Sequence, residues 1–245
     1  MDETKTVSLD ENLDWTKSWD YPDQSLGSLL VENLGHSILL QIFSFALVLL
    51  LSFGLSLLSL KFTGLFKPLS RILAVGISAP SLFWIPLLVY FFSLRLEIFP
   101  LRYEPTVLGW ILPLLALMLR PLCGSTEILL NEWKRAERQN YFLVARSKGL
   151  SRTQVFYRHG LKNALIPYTT QMGSFLVQSL MGSVLVESLF SFPGIGYLFV
   201  QSLQSRDLPV VLALTIIYSF ISLIIHGLVE LLQFKLEPRA DRARA

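Results

Sequence analysis

Four uncharged polar side chains, Gln171, Gln178, Ser179 and Ser183, interrupt a long apolar stretch in the second half of the chain. Their amides and hydroxyls can hydrogen-bond a neighbouring helix or a passing solute, but they do not exchange protons near neutral pH. Ser179 and Ser183 are four residues apart and therefore share one helix face. Two interpretations stay open: close helix packing through interhelical hydrogen bonds, or a polar lining for a solute path.

The patterns that covalent, hydrolytic or metal chemistry needs are absent from the sequence. It has no G-x-x-x-x-G-K-[ST] phosphate loop, no H-E-x-x-H zinc motif and no G-x-S-x-G nucleophile motif. Cys123 is the one cysteine, which excludes a disulfide scaffold, and no Cys and His residues have zinc spacing. We therefore expect no catalytic residue, no metal and no bound cofactor, so that uphill transport would need energy from a partner.

A segment of about 40 residues, 127–163, separates two apolar stretches and is far longer than a helix–helix connection requires. Its pattern predicts a polar helical continuation, a short helix over 140–148, and another helix started by a capping box at Ser151 and Gln154. Gly149 suits the left-handed residue that ends a helix. The segment is either a solvated basic loop or a docking element for a cytosolic partner.

The elements that must position these residues are transmembrane helices. Of 245 residues, 52% are hydrophobic and 16% are charged, in separate blocks, which excludes an ordinary soluble enzyme. A helix of about 20 apolar residues crosses a bilayer. Five blocks qualify, at about 36–60, 72–94, 105–125, 164–187 and 208–234. The third qualifies if Arg120 lies near its helix end, where the side chain reaches the headgroups. We predict an all-α membrane protein with five transmembrane helices.

The Lys and Arg residues predict the orientation of these spans. Sixteen of the 21 fall on the side that holds the 127–163 loop and the C-terminus, which is then cytoplasmic, while the N-terminus is outside. This arrangement, at a net charge of only +3, points to a lipid bilayer and not to nucleic acid. The domains are a tail over 1–35, a transmembrane domain over 36–236 and a cytoplasmic tail over 237–245.

The tail over 1–35 holds eight acidic and two basic residues and shows no cleavable signal. It is either a plain acidic tail or an interfacial helix that places Trp15 and Trp19 at the lipid headgroups.

Six segments resemble the permeases of ABC importers, and within them the B-type membrane subunit of dipeptide, oligopeptide and nickel importers. In the loop, V-A-R-S-K-G-L-S at 144–151 and R-H-G-L-K-N-A-L-I-P at 158–167 resemble the segment that carries the family's E-A-A-x-x-x-G signature. Beyond the loop, the segments V-E-S-L-F-S-F-P-G-I-G at 186–196, R-D-L-P-V-V at 206–211 and E-P-R at 237–239 match three more motifs of this branch. A weaker match is S-A-P-S-L-F-W at 78–84. The resemblance covers about 36–240.

The resemblance implies roles for residues of the loop and of the outer segments, and the polar side chains of the apolar stretch are the candidates for a solute path. The short helix would be a coupling helix seated in a nucleotide-binding subunit, with Ala145 and Gly149 at the signature's second Ala and Gly, and with Leu143 at its Glu. The expected coupling residues are Tyr141, Val144, Ala145, Arg146, Lys148, Gly149 and Ser151. The expected path residues are Gln171, Gln178, Ser179 and Ser183. The expected outer-loop residues are Glu187, Pro193, Gly194, Gly196, Arg206 and Asp207.

The resemblance also implies the partners. The chain would be a permease subunit of an importer in the bacterial cytoplasmic membrane, with a second permease, two ATP-binding subunits and an external solute-binding protein. ATP and Mg would bind in the ATPase partner. Short peptides are the expected solute, with nickel and sugars open. The alternatives are a stand-alone channel or secondary carrier, and a non-transporting accessory subunit. The branch has a further span before the first one predicted here, and the five spans correspond to its minimal core.

Overall fold

The apolar blocks of the sequence form long helices in the structure, a computed structural model that describes residues 17–236. This part of the chain has no β-strand and only an isolated bridge between Lys17 and Ser25. Its α-helices are α1 (Leu26–Lys61), α2 (Phe66–Ser78), α3 (Ser81–Leu88), α4 (Val107–Glu137), α5 (Asn140–Ser147), α6 (Arg152–Val155), α7 (Leu161–Phe190), α8 (Ile195–Ser205) and α9 (Leu208–Leu236). The all-α prediction is confirmed for the described residues.

Three of the described helices, α1, α4 and α9, are each long and apolar enough to cross a membrane. They have 36, 31 and 29 residues, and at about 1.5 Å per residue each exceeds the ~30 Å hydrocarbon layer of a bilayer. Two further stretches qualify only as bent pairs of helices. The described residues therefore hold three to five candidate spans.

The stretch predicted as the second span, 72–94, is broken at Ala79 and Pro80. The axes of Phe66–Ser78 and Phe83–Arg95 differ by 116°. Pro80 has no N–H for the helix ladder, and it disfavours helical geometry at the residue before it. Ala79 accordingly has φ −79° and ψ 136°, which is extended backbone. The α7 helix bends more gently, by 49°, between Asn163–Ser179 and Ser183–Phe190.

The first helix begins at Leu26, ten residues before the predicted limit at 36. Ser25 caps it, because its hydroxyl accepts a hydrogen bond from the Ser28 N–H. Leu29 is buried against α8 and α9 residues that include Leu198 and Leu214, and this contact favours a helix where composition alone predicts a polar tail. Residues 1–16, including Trp15, and the tail over 237–245, including the E-P-R segment, lie outside the described residues.

Helix α4 is the central element and packs against α1, α2 and α7. Arg120 lies thirteen residues after Val107 and seventeen before Glu137. It is therefore not near a helix end, and α4 is nevertheless long and apolar enough to be a candidate span. The polar continuation predicted after residue 127 is part of the same helix, and it extends α4 well beyond Arg120. An exposed cation therefore lies in the middle of a 31-residue helix.

Different helices pack at the two ends of α7, and we name the two ends of the molecule after them. At one end, which we call the α5 end, α5 and α6 pack on α1, α4 and the start of α7. At the other, the α8 end, α8 packs between α1, α7 and α9. Helix α7 therefore connects the two regions in which the sequence motifs lie.

Candidate functional site

At the α5 end, the short helix α5 is anchored by Phe142 and Ala145, which are both buried. The Phe142 ring meets the Trp133 ring of α4 edge to face, with ring centroids 5.8 Å apart. Trp133 in turn contacts Phe156, which leads into α7, at 5.2 Å and also edge to face. These T-shaped pairs are favourable aromatic geometries. Helix α5 is therefore tied to both α4 and the base of α7.

The turn after α5 has the geometry that the sequence predicts. Gly149 has φ +84°, in the left-handed region where a side chain is strained. An added Cβ would meet no atom within 4 Å, so the requirement for glycine comes from the backbone alone. After it, the Ser151 hydroxyl accepts from the Gln154 N–H at 3.3 Å, and the Gln154 side chain accepts from the Ser151 N–H at 2.8 Å. The predicted capping box is confirmed.

The outward face of α5 combines apolar and cationic side chains. Leu143 is 66% exposed and Val144 is 54% exposed, and Arg146 and Lys148 are exposed beside them. We call these four residues the knob surface. An exposed apolar pair next to two cations is typical of a surface that meets a partner.

The predicted coupling residues differ in their exposure to solvent. Val144, Arg146, Lys148, Gly149 and Ser151 are exposed, Tyr141 is half-buried and Ala145 faces the protein interior. Leu143 is the most exposed apolar residue of the helix and was not among the predicted site residues. No local pattern indicated it, because which face of a short helix is buried depends on its contacts with other helices.

Tyr141 ties the start of α5 to α7. Burial raises the pKa of the Tyr141 phenol, and the nearby Glu132 carboxylate raises this pKa further, while a hydrogen bond with Asn163 acts in the opposite direction. The phenol therefore stays neutral under physiological conditions and remains a hydrogen-bond donor.

At the α8 end, the buried carboxylate of Glu187 caps the N-terminus of α8. The Gly196 N–H donates to Glu187 Oε2 at 2.7 Å. The Ser37 hydroxyl donates to Glu187 Oε1 at 2.8 Å and accepts from the Ile195 N–H at 2.9 Å. Glu187 is fully buried, and a carboxylate is favoured at a helix N-terminus by the helix dipole. Because α8 has no capping side chain of its own, Ser37 and Glu187 supply that function.

The tight fit at Gly194 follows from this network. A Cβ on Gly194 would lie 2.3 Å from Glu187 Oε2 and 2.4 Å from the Ser37 hydroxyl. Gly194 and Gly196 are buried, and Pro193 is half-buried beside them. The predicted outer-loop residues from Glu187 to Gly196 therefore form one packed unit that holds α7, α8 and α1 together.

The second outer motif has a similar structural role. Asp207 is buried, and its Oδ2 accepts from the Ser18 hydroxyl, from the Trp19 N–H at 3.0 Å and from the Asp20 N–H at 3.3 Å. Its neighbour Arg206 is exposed and has φ +62° at the end of α8. Asp207 thus fastens the segment before α1 onto the start of α9. In this segment Trp19 is not helical, so the interfacial-helix interpretation does not extend to residue 17 onward.

Three of the four predicted path residues share one cavity. Gln171, Gln178 and Ser179 of α7 and Arg120 of α4 line a space of about 260 Å³ whose remaining walls are largely apolar. Ser179 also hydrogen-bonds Gln41 of α1 at 2.7 Å, so it contributes to helix packing as well. Arg120 was not predicted as a site residue, because an Arg next to a loop was expected to face the headgroups.

The fourth predicted path residue, Ser183, is separate from this cavity. Its side chain is buried beside the Glu187 carboxylate, to which it hydrogen-bonds. Ser183 therefore belongs to the α8-end network and not to the cavity around Arg120.

Comparison with known proteins identifies the family. A family model described as the binding-protein-dependent transport system inner membrane component matches residues 50–238. The chain belongs to this family and is a multi-pass membrane protein with the described helices as candidate spans.

The similar proteins are transport permeases. The chain is 36% identical over 165 residues to the dipeptide transport system permease protein of Lactococcus lactis subsp. cremoris, covering 67% of this chain and 54% of that protein. The Bacillus subtilis dipeptide permease is 34% identical with the same coverage. The oligopeptide transport system permease protein of Haemophilus influenzae is 31% identical over 237 residues, covering 94% of this chain and 77% of that protein. The chain spans about half the length of the two dipeptide permeases.

Proposed function

We propose that the chain is a membrane-spanning permease subunit of an ATP-driven, binding-protein-dependent importer of short peptides. The family and the names of the similar permeases support this assignment. The observation that carries it is the geometry of α5, whose knob surface faces outward while Phe142 locks the helix to Trp133. Such a helix can receive a push from a partner and pass it to the bundle.

The topology in this proposal has five spans, formed by α1, the α2–α3 pair, α4, α7 and α9. The α5 end is cytoplasmic, since most Lys and Arg residues flank it, and the α8 end is outside. The loop over 127–163 is the coupling loop and residues 26–236 hold the transmembrane domain. The segment before residue 26 lies outside, and the segment after residue 236 lies inside.

The chain is not an enzyme in this proposal, and ATP hydrolysis with its Mg occurs in two ATPase subunits. Closure of these subunits moves the coupling helices of this chain and of a second permease towards each other. Because Trp133 and Phe156 join α5 to α4 and α7, the movement changes the angle between these helices. The path between the two permeases then opens outward to accept solute from an external binding protein.

The α8 end is suited to the side that meets the external binding protein. Its loop is rigid, because Glu187 and Ser37 cap α8 and Asp207 fixes the segment before α1. A rigid outer surface loses little conformational entropy when a soluble partner docks on it.

A reconstitution experiment tests the proposal. We expect uptake of a dipeptide into proteoliposomes that hold this chain, the second permease and both ATPase subunits, and only with ATP and the binding protein present. Uptake that continues without ATP in an ion gradient would instead identify a secondary carrier or channel. Unchanged uptake in a complex that lacks this chain would identify an accessory subunit.

The docking contact has its own test. A cysteine introduced at Leu143 should cross-link to the ATPase subunit, whereas a cysteine at the exposed Leu203 of α8, at the other end of the bundle, should not. The reverse pattern would contradict the proposed position of the knob surface.

A further inference from the structure

The cavity between α4 and α7 has an unusual combination of polar groups. Arg120 carries a guanidinium, whose N–H groups donate hydrogen bonds in a planar fork and accept none. It lines the cavity in the middle of α4 together with Gln171 and Gln178. An arginine at membrane depth costs free energy and is retained where it meets an anion or a water-filled path.

Arg120 is not neutralised within the part of the chain that the structure describes. Over residues 17–236, the ion pairs within 4.0 Å are Arg135–Glu132 and Arg152–Glu137, and neither involves Arg120. Glu127 is the nearest acidic residue along α4, two helical turns away, or about 10 Å along the axis. The guanidinium therefore has five N–H donors that are open to a ligand.

The two glutamines complete the site. The Gln171 amide nitrogen would lie 3.2 Å from a Cβ on Gly124, and Gly124 is one helical turn from Arg120, so Gln171 is next to the cation. Gln178 is two turns further along α7 and exposed to the cavity. Among the described side chains neither amide has a hydrogen-bond partner, whereas Ser179 already bonds Gln41 and the Leu176 carbonyl.

The dimensions match a short peptide in extended form. Gln171 and Gln178 are seven residues apart on α7, which is about 10 Å. Three extended residues measure about 10 Å along the chain, so the two amides can contact the backbone amide groups of a tripeptide while Arg120 contacts its terminal carboxylate. The cavity of about 260 Å³ is larger than an engineered cavity of roughly 150 Å³ that holds benzene.

We propose that Arg120 binds the free carboxylate of the solute inside the permease, with Gln171 and Gln178 contacting its amide groups. This site rests on the proposed import of peptides and adds a selectivity filter for the solute's C-terminus. A guanidinium binds a carboxylate through two parallel hydrogen bonds, which gives both strength and orientation. The same anionic chemistry is present in a lipid phosphate and in an acidic side chain of a second permease, and the test separates these sources.

The test measures binding to the membrane complex without the external binding protein, so that the selectivity of that protein does not enter. Saturation-transfer NMR compares a tripeptide that has a free C-terminal carboxylate with the same tripeptide as its C-terminal amide, both at millimolar concentration. In the wild type we expect the acid to bind at least tenfold more tightly than the amide, as a charge-assisted pair requires. Arg120→Met should remove this preference, and Arg120→Lys should retain most of it.

A matched control variant shows whether the acid preference depends on Arg120 specifically. Arg71→Met removes an exposed arginine of α2 that does not line the cavity, and it should leave the acid preference unchanged. Equal binding of acid and amide by the wild type, or no binding of the acid, overturns the carboxylate site. So does an acid preference that Arg120→Met leaves intact, because Arg120 would then serve a lipid or the second permease.

A different result would contradict the proposed function as an importer. A wild-type complex that takes up the dipeptide with ATP but has no acid preference keeps the importer and removes the carboxylate site. A wild-type complex that takes up no peptide removes the importer itself.

Discussion

The Phe142 ring of α5 lies edge to face on the Trp133 ring of α4, with ring centroids 5.8 Å apart. Both side chains are buried in one cluster with Phe156 and Tyr168. Close-packed interiors transmit displacement because they are nearly incompressible. A force on the knob surface therefore reaches α4 and α7 through rings in direct contact.

Phe142→Ala should uncouple the knob surface from the bundle. Truncating a buried aromatic ring costs about 3–5 kcal/mol, so α5 should lose its fixed position while Leu143 and Val144 remain available to the partner. We expect the assembled complex to form and its solute-stimulated ATP hydrolysis to fall at least tenfold. The control Leu143→Ala should instead weaken assembly and leave stimulation per assembled complex near normal. Equal stimulation in Phe142→Ala and wild type would contradict a mechanical role for this ring.

Gly149→Val should abolish stimulation while membrane insertion stays normal. A β-branched residue at φ +84° is strained, at a cost of about 1–2 kcal/mol or more, and the turn would then direct α5 elsewhere. Gly149→Asn should be milder, since Asn tolerates this conformation. Gly64→Val is the matched control, because a Cβ there also meets open space but the backbone is not left-handed. A normal rate of solute-stimulated hydrolysis with Gly149→Val would show that the turn is not needed.

Ser37→Ala should destabilise the α8 end. It removes the acceptor of the buried Ile195 N–H and one donor to Glu187, and an unsatisfied buried group costs about 1–3 kcal/mol. Thermal unfolding in detergent should shift to lower temperature, and the effects of Ser37→Ala and Glu187→Gln should be less than additive because they share one network. Ser56→Ala is the control, since this buried hydroxyl bonds only its own helix at the Phe53 carbonyl. Strict additivity would argue against a shared cap.

Asp207→Asn should release the segment before α1. The carboxylate oxygen that accepts from Ser18, Trp19 and Asp20 loses its charge, and hydrogen bonds to charged groups are worth about 1.5–3 kcal/mol. Hydrogen exchange at the Trp19 and Asp20 amides should accelerate at least tenfold. Asp23→Asn, at an exposed site in the same segment, should leave these rates unchanged. Protection that persists in Asp207→Asn would mean that other contacts hold the segment.

The local features at the α5 end could be predicted from sequence, whereas the orientation of α5 could not. The capping box and the Gly149 turn depend on residues at most a few positions apart, so the pattern determines them. Which face of an eight-residue helix is buried depends on its contacts with other helices. Phe142 and Ala145 face inward because Trp133 and Phe156 lie there.

The features that the sequence did not predict depend on the arrangement of helices in space. The second predicted span is broken at Pro80, and the 116° angle between its two parts could not be predicted from hydropathy, which does not report the direction of a helix. Arg120 was placed relative to the apolar block that ends near 125, whereas the predicted polar continuation after 127 belongs to the same helix and leaves Arg120 in its middle. The capping role of Glu187 could not be predicted from the sequence, because its partner Ser37 is 150 residues earlier in the chain. A serine in an apolar helix has no pattern that marks it as such a partner.

The crowding around Gly194 restricts how the sequence can change during evolution. The space of a methyl group at this position is occupied by oxygens of Glu187 and Ser37, so a lineage that acquires alanine there must also shorten or move these side chains. Residues 37, 187 and 194 should therefore change together among descendants of a common ancestor, and substitutions at one of them alone should be rare.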